Sequence, residues 1–160
     1  MFMGKLLAEA GLIAGLNVTW MPAYGAEVRG GTSYSMVKIS NNEIASPIVT
    51  DPGILVVMNK PSLVKYESRV NAGGILISNK SLVGDFNKRK GIRVVNIQMT
   101  DLASKLGDIR CANMIAIGAI ARHSTTISIR NVITALKSAF KGKDELFLLN
   151  KTAIEKGYGT

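Results

Sequence analysis

Cysteine is almost missing from this chain: Cys111 is the only one in 160 residues. An internal disulfide, a cysteine-ligated iron–sulfur cluster and a Cys-based structural zinc site are therefore excluded. Histidine is equally scarce. His123 stands alone, which argues against a His-based metal site or a Ser-His-Asp triad. Long apolar runs are also missing. The longest, Met114 to Ala121, covers eight residues. That is well short of the ~18 a membrane span needs, and it reads as a buried helix. The N-terminus lacks the basic region, apolar core and small-residue cleavage site of a secretory leader, so the expected location is the cytoplasm, away from any membrane. Aromatic residues make up only 6%, too few for the stacking surfaces of a single-strand nucleic-acid binder. Acidic residues are the minority: 11 Asp+Glu against 20 Lys+Arg, a formal charge of +9. Such a balance attracts polyanions, phosphorylated ligands or an acidic partner subunit. The densest basic cluster, Lys88, Arg89, Lys90 and Arg93, has a solvated loop as its default reading.

What is present is apolar material, 47% of the chain, enough for one core in one domain. Leu6, Leu7, Ala10, Ile13 and Ala14 recur at helical spacing, with Gly15 as the stop. Val18 to Met21 reads as a strand ended by Pro22. Tyr34 to Ser40 reads as a strand that returns through Ile44 after an Asn41-Asn42 turn. Ile54 to Met58 has the continuous apolar pattern of a strand buried on both faces of a parallel sheet. Pro61-Ser62-Leu63 starts a helix running to about Arg69. Ile75 to Ser78 and Ile92 to Ile97 read as further strands, and Asp101 lies near the start of a short helix ending at Gly107. Ala112 to Ala121 should be a central helix covered on several sides. Ser128 caps the next helix, and Asp144 the last, which ends near Gly157. The expected fold class is α/β: a single Rossmann-like domain with a mostly parallel sheet, one hairpin, and helices on both faces.

Chemistry concentrates in the segment Tyr24 to Ser33. Gly25, Gly30 and Gly31 allow close backbone approach to a ligand, and successive amides can form an anion-binding concavity. Arg29 can add a bidentate fork for carboxylate or phosphate, and Thr32 and Ser33 add hydroxyls. The competing reading is a tight structural turn with Arg29 paired to Glu27 or to a carbonyl. It is not a Walker loop, because no Gly-Lys-Ser/Thr follows. Asn113 heads the apolar helix and can cap it or present its amide to a ligand; capping is the ordinary role. Asn59 and Lys60 follow a buried strand, at the carboxyl edge where α/β sheets place ligands. Cys111 reads as a small buried hydrophobe, and His123 as a surface cap with no carboxylate near it in sequence. No metal ligands are expected in this chain.

Taken in order, these residues carry a resemblance. Tyr24-Gly-Ala-Glu-Val-Arg-Gly-Gly-Thr-Ser33, Ser46-Pro47, Val57-Met58-Asn59 with Pro61-Ser62-Leu63, Gly73-Gly74, Asn113-Met114 with Gly118, and Asn150 to Tyr158 are collinear with one family. The chain resembles the gamma subunit, or gamma domain, of the 2-oxoacid:ferredoxin oxidoreductases over nearly its whole length. The resemblance implies oxidative decarboxylation of a 2-oxoacid to an acyl-CoA, with 2-oxoglutarate favoured and pyruvate or branched-chain acids as alternatives. It implies that thiamine diphosphate and the iron–sulfur clusters lie mainly on partner subunits: alpha, beta and a ferredoxin-like delta. Ferredoxin is the electron acceptor, and nucleic acid is not an expected partner. Coenzyme A would pass near the gamma part. By the same analogy Arg29, Gly30 and Gly31 face an anionic group, a substrate carboxylate or a coenzyme A phosphate. Tyr24, Gly25, Glu27, Thr32, Ser33, Asn59 and Asn113 complete the ligand-facing candidates.

The chain departs from the family pattern in two places. The family opens with a strand and a Gly-x-Gly-Gly-x-Gly turn, whereas this sequence begins within the helix that follows, so a longer native N-terminus is expected. Gly53 also stands where the family usually has Asp. Two other classes fit parts of the sequence: a free-standing Rossmann-like nucleotide-binding protein, which would need a glycine fingerprint after its first strand, and a basic nucleic-acid-binding module.

Overall fold

The structure is a computed structural model and describes residues 1–23, 33–87 and 89–160. Helix α1, Phe2–Ile13, opens it and buries Leu6, Leu7 and Ala10. Gly15 ends it at φ +76°, a left-handed conformation that glycine adopts without a Cβ clash. Strands β1 (Asn17–Ala23) and β2 (Tyr34–Ser40) pair antiparallel, from Asn17 opposite Ser40 to Ala23 opposite Tyr34. The hairpin is thus made by the two strands flanking the glycine-rich segment. The expected return through Ile44 is incorrect, since residues 41–52 contain no strand. β1 also runs through Pro22 rather than stopping there. Both strands of a two-stranded ribbon are edges, where a missing proline N–H is tolerated. Outside the hairpin, Lys38 Nζ donates to the Ser46 carbonyl at 2.8 Å, tying the following segment back to β2.

The parallel sheet has three strands in the order β3 (Ile54–Val57), β4 (Ile75–Asn79), β5 (Arg93–Ile97). Ile54 pairs with Ile75 and Ile75 with Arg93, so the three strands start level. Among the described residues β3 is an edge strand, and only Val57 in it is buried while Ile54, Leu55 and Val56 are half-buried, short of the burial on both faces that its unbroken apolar run predicts. One face of the sheet packs Val57, Leu76 and Val94 against Leu63 and Val83. These last come from helices α2 (Lys60–Tyr66) and α3 (Lys80–Val83). The opposite face presents Ile77 and Ile97 to the main core. There α5 (Ala112–His123) supplies nine buried residues. Helices α4 (Met99–Lys105), α6 (Ile129–Ala139) and α7 (Asp144–Tyr158) complete the fold. Helices on both faces of a parallel sheet with one hairpin are the α/β class the alternation predicts.

Local signals account for some helix ends. Ser128 accepts from the Asn131 amide at 3.3 Å and Asn131 Oδ1 accepts from the Ser128 amide at 2.9 Å, a reciprocal cap on α6. Asp144 lies in the first turn of α7 but does not cap it; Lys143 holds that position without a side-chain bond. Asp144 acts instead through its charge at the positive end of the helix. Arg89 corrects the solvated-loop reading of its cluster. Its Nη1 donates to the carbonyls of Glu67, Ser68 and Val70, each at 3.0 Å, and so closes the 3₁₀ turn after α2. Lys88 lies outside the described residues.

Candidate functional site

The strands of a parallel α/β sheet all deliver chain to one edge at their carboxyl ends, and ligands bind in the crevice outside it. Here that edge is a set of amides. Asn59 follows β3, Asn79 ends β4, and Asn96 and Gln98 lie at the end of β5. Asn79 is fully buried. Its Nδ2 donates to Thr100 Oγ1 at 2.8 Å and to the Met58 carbonyl at 3.4 Å, and its Oδ1 accepts from the Thr100 amide at 3.3 Å. One side chain therefore ties the end of β3 to the start of α4 across β4. Beside it the buried Ser78 hydroxyl donates to Asn96 Oδ1 at 2.6 Å. Removing Asn79 would leave a carbonyl and an amide buried and unpaired, which costs about 1–3 kcal/mol. Asn79→Ala is expected to lower the unfolding free energy by that amount, read as a lower urea midpoint at unchanged m-value; a midpoint equal to wild type would show that the knot is not needed.

The predicted site residues fall into three groups. Tyr24, Gly25, Glu27, Arg29, Gly30, Gly31 and Thr32 lie outside the described residues. Ser33 is exposed, immediately before β2. Asn59 is a helix cap: its Oδ1 accepts from the Ser62 amide at 3.0 Å, with Pro61 in the first turn of α2 where its missing N–H is harmless. Lys60 beside it is exposed. Asn113 departs from the expected capping role. It is the second residue of α5, whose N-cap position is held by Cys111 without a side-chain bond. Asn113 Oδ1 is buried with no hydrogen-bond partner among the described residues. It is an acceptor left open in the first turn of a helix. α5 ends at His123, beside the amino ends of β3 and β4, so its first turn points toward the carboxyl edge.

Where β2 leaves the glycine-rich segment, aromatic and basic side chains gather. The Tyr34 and Tyr66 rings lie 5.5 Å apart at 58°. Lys65 Nζ and the Arg69 guanidinium each stand 5.5 Å from the Tyr66 ring centre, within cation–π range. This cluster was not singled out in the sequence. Its members are 32 residues apart across the β2–α2 connection, and no local spacing joins them.

Other features have structural explanations. Cys111 is buried and donates to Asn150 Oδ1 at 3.7 Å; burial pushes its thiol pKa up, away from the thiolate that reactivity requires. Asp108 accepts from Arg110 in a bidentate pair at 3.0 and 2.7 Å on the surface, and these bonds hold its carboxyl below the usual range. A cleft of about 400 Å³ opens at the opposite, amino edge of the sheet, lined by Gly53, Gly73, Gly74 and His123 among others. His123 is half-buried there rather than on the surface. Burial first, then Arg93 and Arg122, lower its pKa, so it is neutral at pH 7. Gly73 and Gly74 belong to the backbone: Gly73 has φ +76°, and a Cβ on Gly74 would lie 2.8 Å from the Asn71 carbonyl oxygen. Gly53 is under no such constraint, because a Cβ there meets nothing within 4 Å. No described helix is long and apolar enough to cross a membrane.

Comparison with known proteins places this arrangement. The family model described as pyruvate ferredoxin/flavodoxin oxidoreductase matches residues 1–160. The ketoisovalerate oxidoreductase subunit VorA of Methanothermobacter marburgensis is 35% identical over 156 residues, covering 97% of this chain and 32% of VorA. The chain thus spans about a third of the length of that relative. The 2-oxoglutarate synthase subunit KorC of the same organism is 35% identical over 136 residues, 81% of this chain and 73% of KorC. Among solved structures, the gamma subunit of a keto/oxoacid ferredoxin oxidoreductase from Geobacter sulfurreducens PCA superposes with a TM-score of 0.83 at 23% identity, covering 99% of this chain and 88% of that one. That likeness shows the fold. With a family match from end to end, this chain belongs to the pyruvate ferredoxin/flavodoxin oxidoreductase family.

Proposed function

We propose that this chain is the gamma part of a 2-oxoacid:ferredoxin oxidoreductase. Such an enzyme takes a 2-oxoacid and coenzyme A, releases carbon dioxide, passes a pair of electrons to ferredoxin, and leaves the acyl-CoA. The observation that carries this reading is the family match over residues 1–160. The chain's own residues do not fit an iron–sulfur cluster. Its single thiol is buried, bonded to Asn150 and held protonated, whereas a cluster needs several thiolates. Likeness to the gamma subunits assigns the clusters and thiamine diphosphate to alpha, beta and ferredoxin-like delta partners, and the lone buried thiol agrees with that for the clusters. The gamma part contributes anion recognition: Arg29 with the backbone of Gly30 and Gly31, flanked by Tyr24, Gly25, Glu27, Thr32 and Ser33, would face a carboxylate or a coenzyme A phosphate. Lys65 and Arg69, beside the end of that segment, add positive charge in support. Asn113 Oδ1 is open to a ligand N–H or O–H, while Asn59 keeps its capping role.

Among the 2-oxoacids, 2-oxoglutarate is our first candidate. KorC, a 2-oxoglutarate synthase subunit, is among this chain's relatives, at 35% identity over 81% of its length. VorA, a ketoisovalerate oxidoreductase subunit, is equally similar at 35%, so identity alone does not choose between the acids. The test is turnover with a dye acceptor. The purified chain alone should oxidise none of 2-oxoglutarate, ketoisovalerate or pyruvate, and adding its partner subunits should restore activity. Turnover by the single chain would refute the subunit reading.

A further inference from the structure

The cleft at the amino edge of the sheet lies apart from the carboxyl-edge site. Its volume of about 400 Å³ falls within the range of small-ligand pockets, about 300–1,000 Å³. Its floor is hydrogen-bonded backbone where β3 and β4 begin. The Gly73 amide donates to the Gly91 carbonyl at 2.7 Å, and the Arg93 amide to the Gly74 carbonyl at 2.8 Å. The facing wall is the turn after α5. There Ser124 Oγ accepts from the amides of Thr126 at 3.1 Å and Ile127 at 3.2 Å, which holds His123, Thr125 and Thr126 along the cleft. Gly53 also lines it, and a Cβ there would enter open space. Neither backbone conformation nor packing demands glycine at that position, so its effect is to leave the cleft open.

Among the described residues no carboxylate lines the cleft. His123 stands on its wall, half-buried, and the charges acting on it are those of Arg93 and Arg122. Arg93 arrives from β5 and Arg122 from the last turn of α5, so two separate elements bring positive charge to one imidazole. Among the described residues neither guanidinium is in an ion pair; Arg122 instead lies 5.7 Å from the Tyr158 ring centre. Burial and these two cations hold the imidazole neutral. An anion in the cleft would reverse that balance, since an opposite charge favours the imidazolium. Other surface cations are unpaired too, but these two converge on a concave site with a titratable wall. We propose that this cleft binds a phosphate group, free or on a small organic molecule. Its donors suit several phosphate oxygens: the imidazole N–H, the Thr125 and Thr126 hydroxyls and the Asn71 amide, all from residues that line the cleft. The cleft is built by this chain alone, at the edge opposite Asn79, so its occupancy does not depend on the subunit reading.

The test is proton NMR of the full chain, in which His123 is the only histidine, at constant ionic strength balanced with chloride. Titrating inorganic phosphate should move the His123 ring signals saturably, with a dissociation constant on the order of 1 mM, and should raise the imidazole pKa. Glycerol phosphate separates the two sources. Tighter binding than inorganic phosphate assigns the cleft to a small organic phosphate, and equal or weaker binding assigns it to the free ion. Acetate, with one charge and two oxygens, should bind about tenfold more weakly or worse. Gly53→Asp places a carboxylate at the cleft without a clash at Cβ and should weaken phosphate about tenfold or more. Arg93→Gln should weaken it about threefold to tenfold. Lys60→Gln removes one positive charge at the opposite edge and should stay within about twofold of wild type. Melting temperatures check that the variants fold, and if Gly53→Asp does not, Arg93→Gln decides. Ring signals of the folded chain that stay fixed at about ten times that phosphate concentration overturn the phosphate site. Acetate binding as tightly as phosphate overturns it as well. Equal weakening by Lys60→Gln and by the cleft variants also overturns it, because net surface charge would then hold the anion.

Discussion

Gly118→Ala is expected to destabilise the protein by about 3 kcal/mol, and Gly157→Ala by a similar amount. Where α5 crosses α7 the two helices meet backbone to backbone. A Cβ on Gly118 would sit on the Ile154 carbonyl oxygen and 2.7 Å from the Tyr158 amide nitrogen. A Cβ on Gly157 would sit on the Ile115 carbonyl oxygen, 2.7 Å from its carbon. These are backbone atoms, with no flexible tip to move aside, so the helices must separate. Separation opens the core around Ile115, Ile154 and Ala153, all fully buried. The sign is diagnostic. A glycine in an open helix interior is improved by alanine, by up to about 1 kcal/mol. Thermal melting should show each variant about 6–12 °C below wild type, the range for a chain of this length. A melting temperature at or above wild type would show that the helices do not approach this closely.

Arg29→Ala is expected to leave folding nearly unchanged and to impair the assembled enzyme tenfold to a hundredfold. This follows from its proposed role toward an anionic group. Losing one charge-assisted hydrogen bond costs about 1.5–3 kcal/mol, and each 1.36 kcal/mol is a factor of ten. Arg29→Lys should recover only part of the loss, because an ammonium cannot reproduce the planar two-donor fork. The measurement is the kinetics of the reconstituted enzyme with both 2-oxoacid and coenzyme A varied. A rise in KM for coenzyme A alone would assign the arginine to a phosphate. A rise for the oxoacid alone would assign it to the carboxylate. Wild-type values for both would show that Arg29 is a structural turn residue, paired to Glu27 or to a carbonyl.

By itself the sequence determined the elements whose causes are local. The helix start at Pro61, the Ser128 cap and the all-round apolar Met114 to Ala121 each act within a few residues, where side-chain chemistry and periodicity leave few alternatives. The order of its glycine and asparagine landmarks likewise pointed to the family that the end-to-end match shows. Pairing across distance was decided only by the tertiary structure. Asn41-Asn42 has the chemistry of a hairpin turn, yet β2 pairs with β1 across the glycine-rich segment, because a turn signal does not state which strand will be the partner. An unbroken apolar run such as Ile54 to Val57 reads as buried on both faces, yet at the edge of the described sheet only Val57 is fully buried, because burial depends on what packs beside and over the strand. Asn79 and Arg89 look like ordinary polar loop residues until folding brings Met58 and Thr100, or Glu67 to Val70, within reach. Gly118 and Gly157 are 39 positions apart, and only the crossing of α5 on α7 turns two small residues into the place where the helices touch.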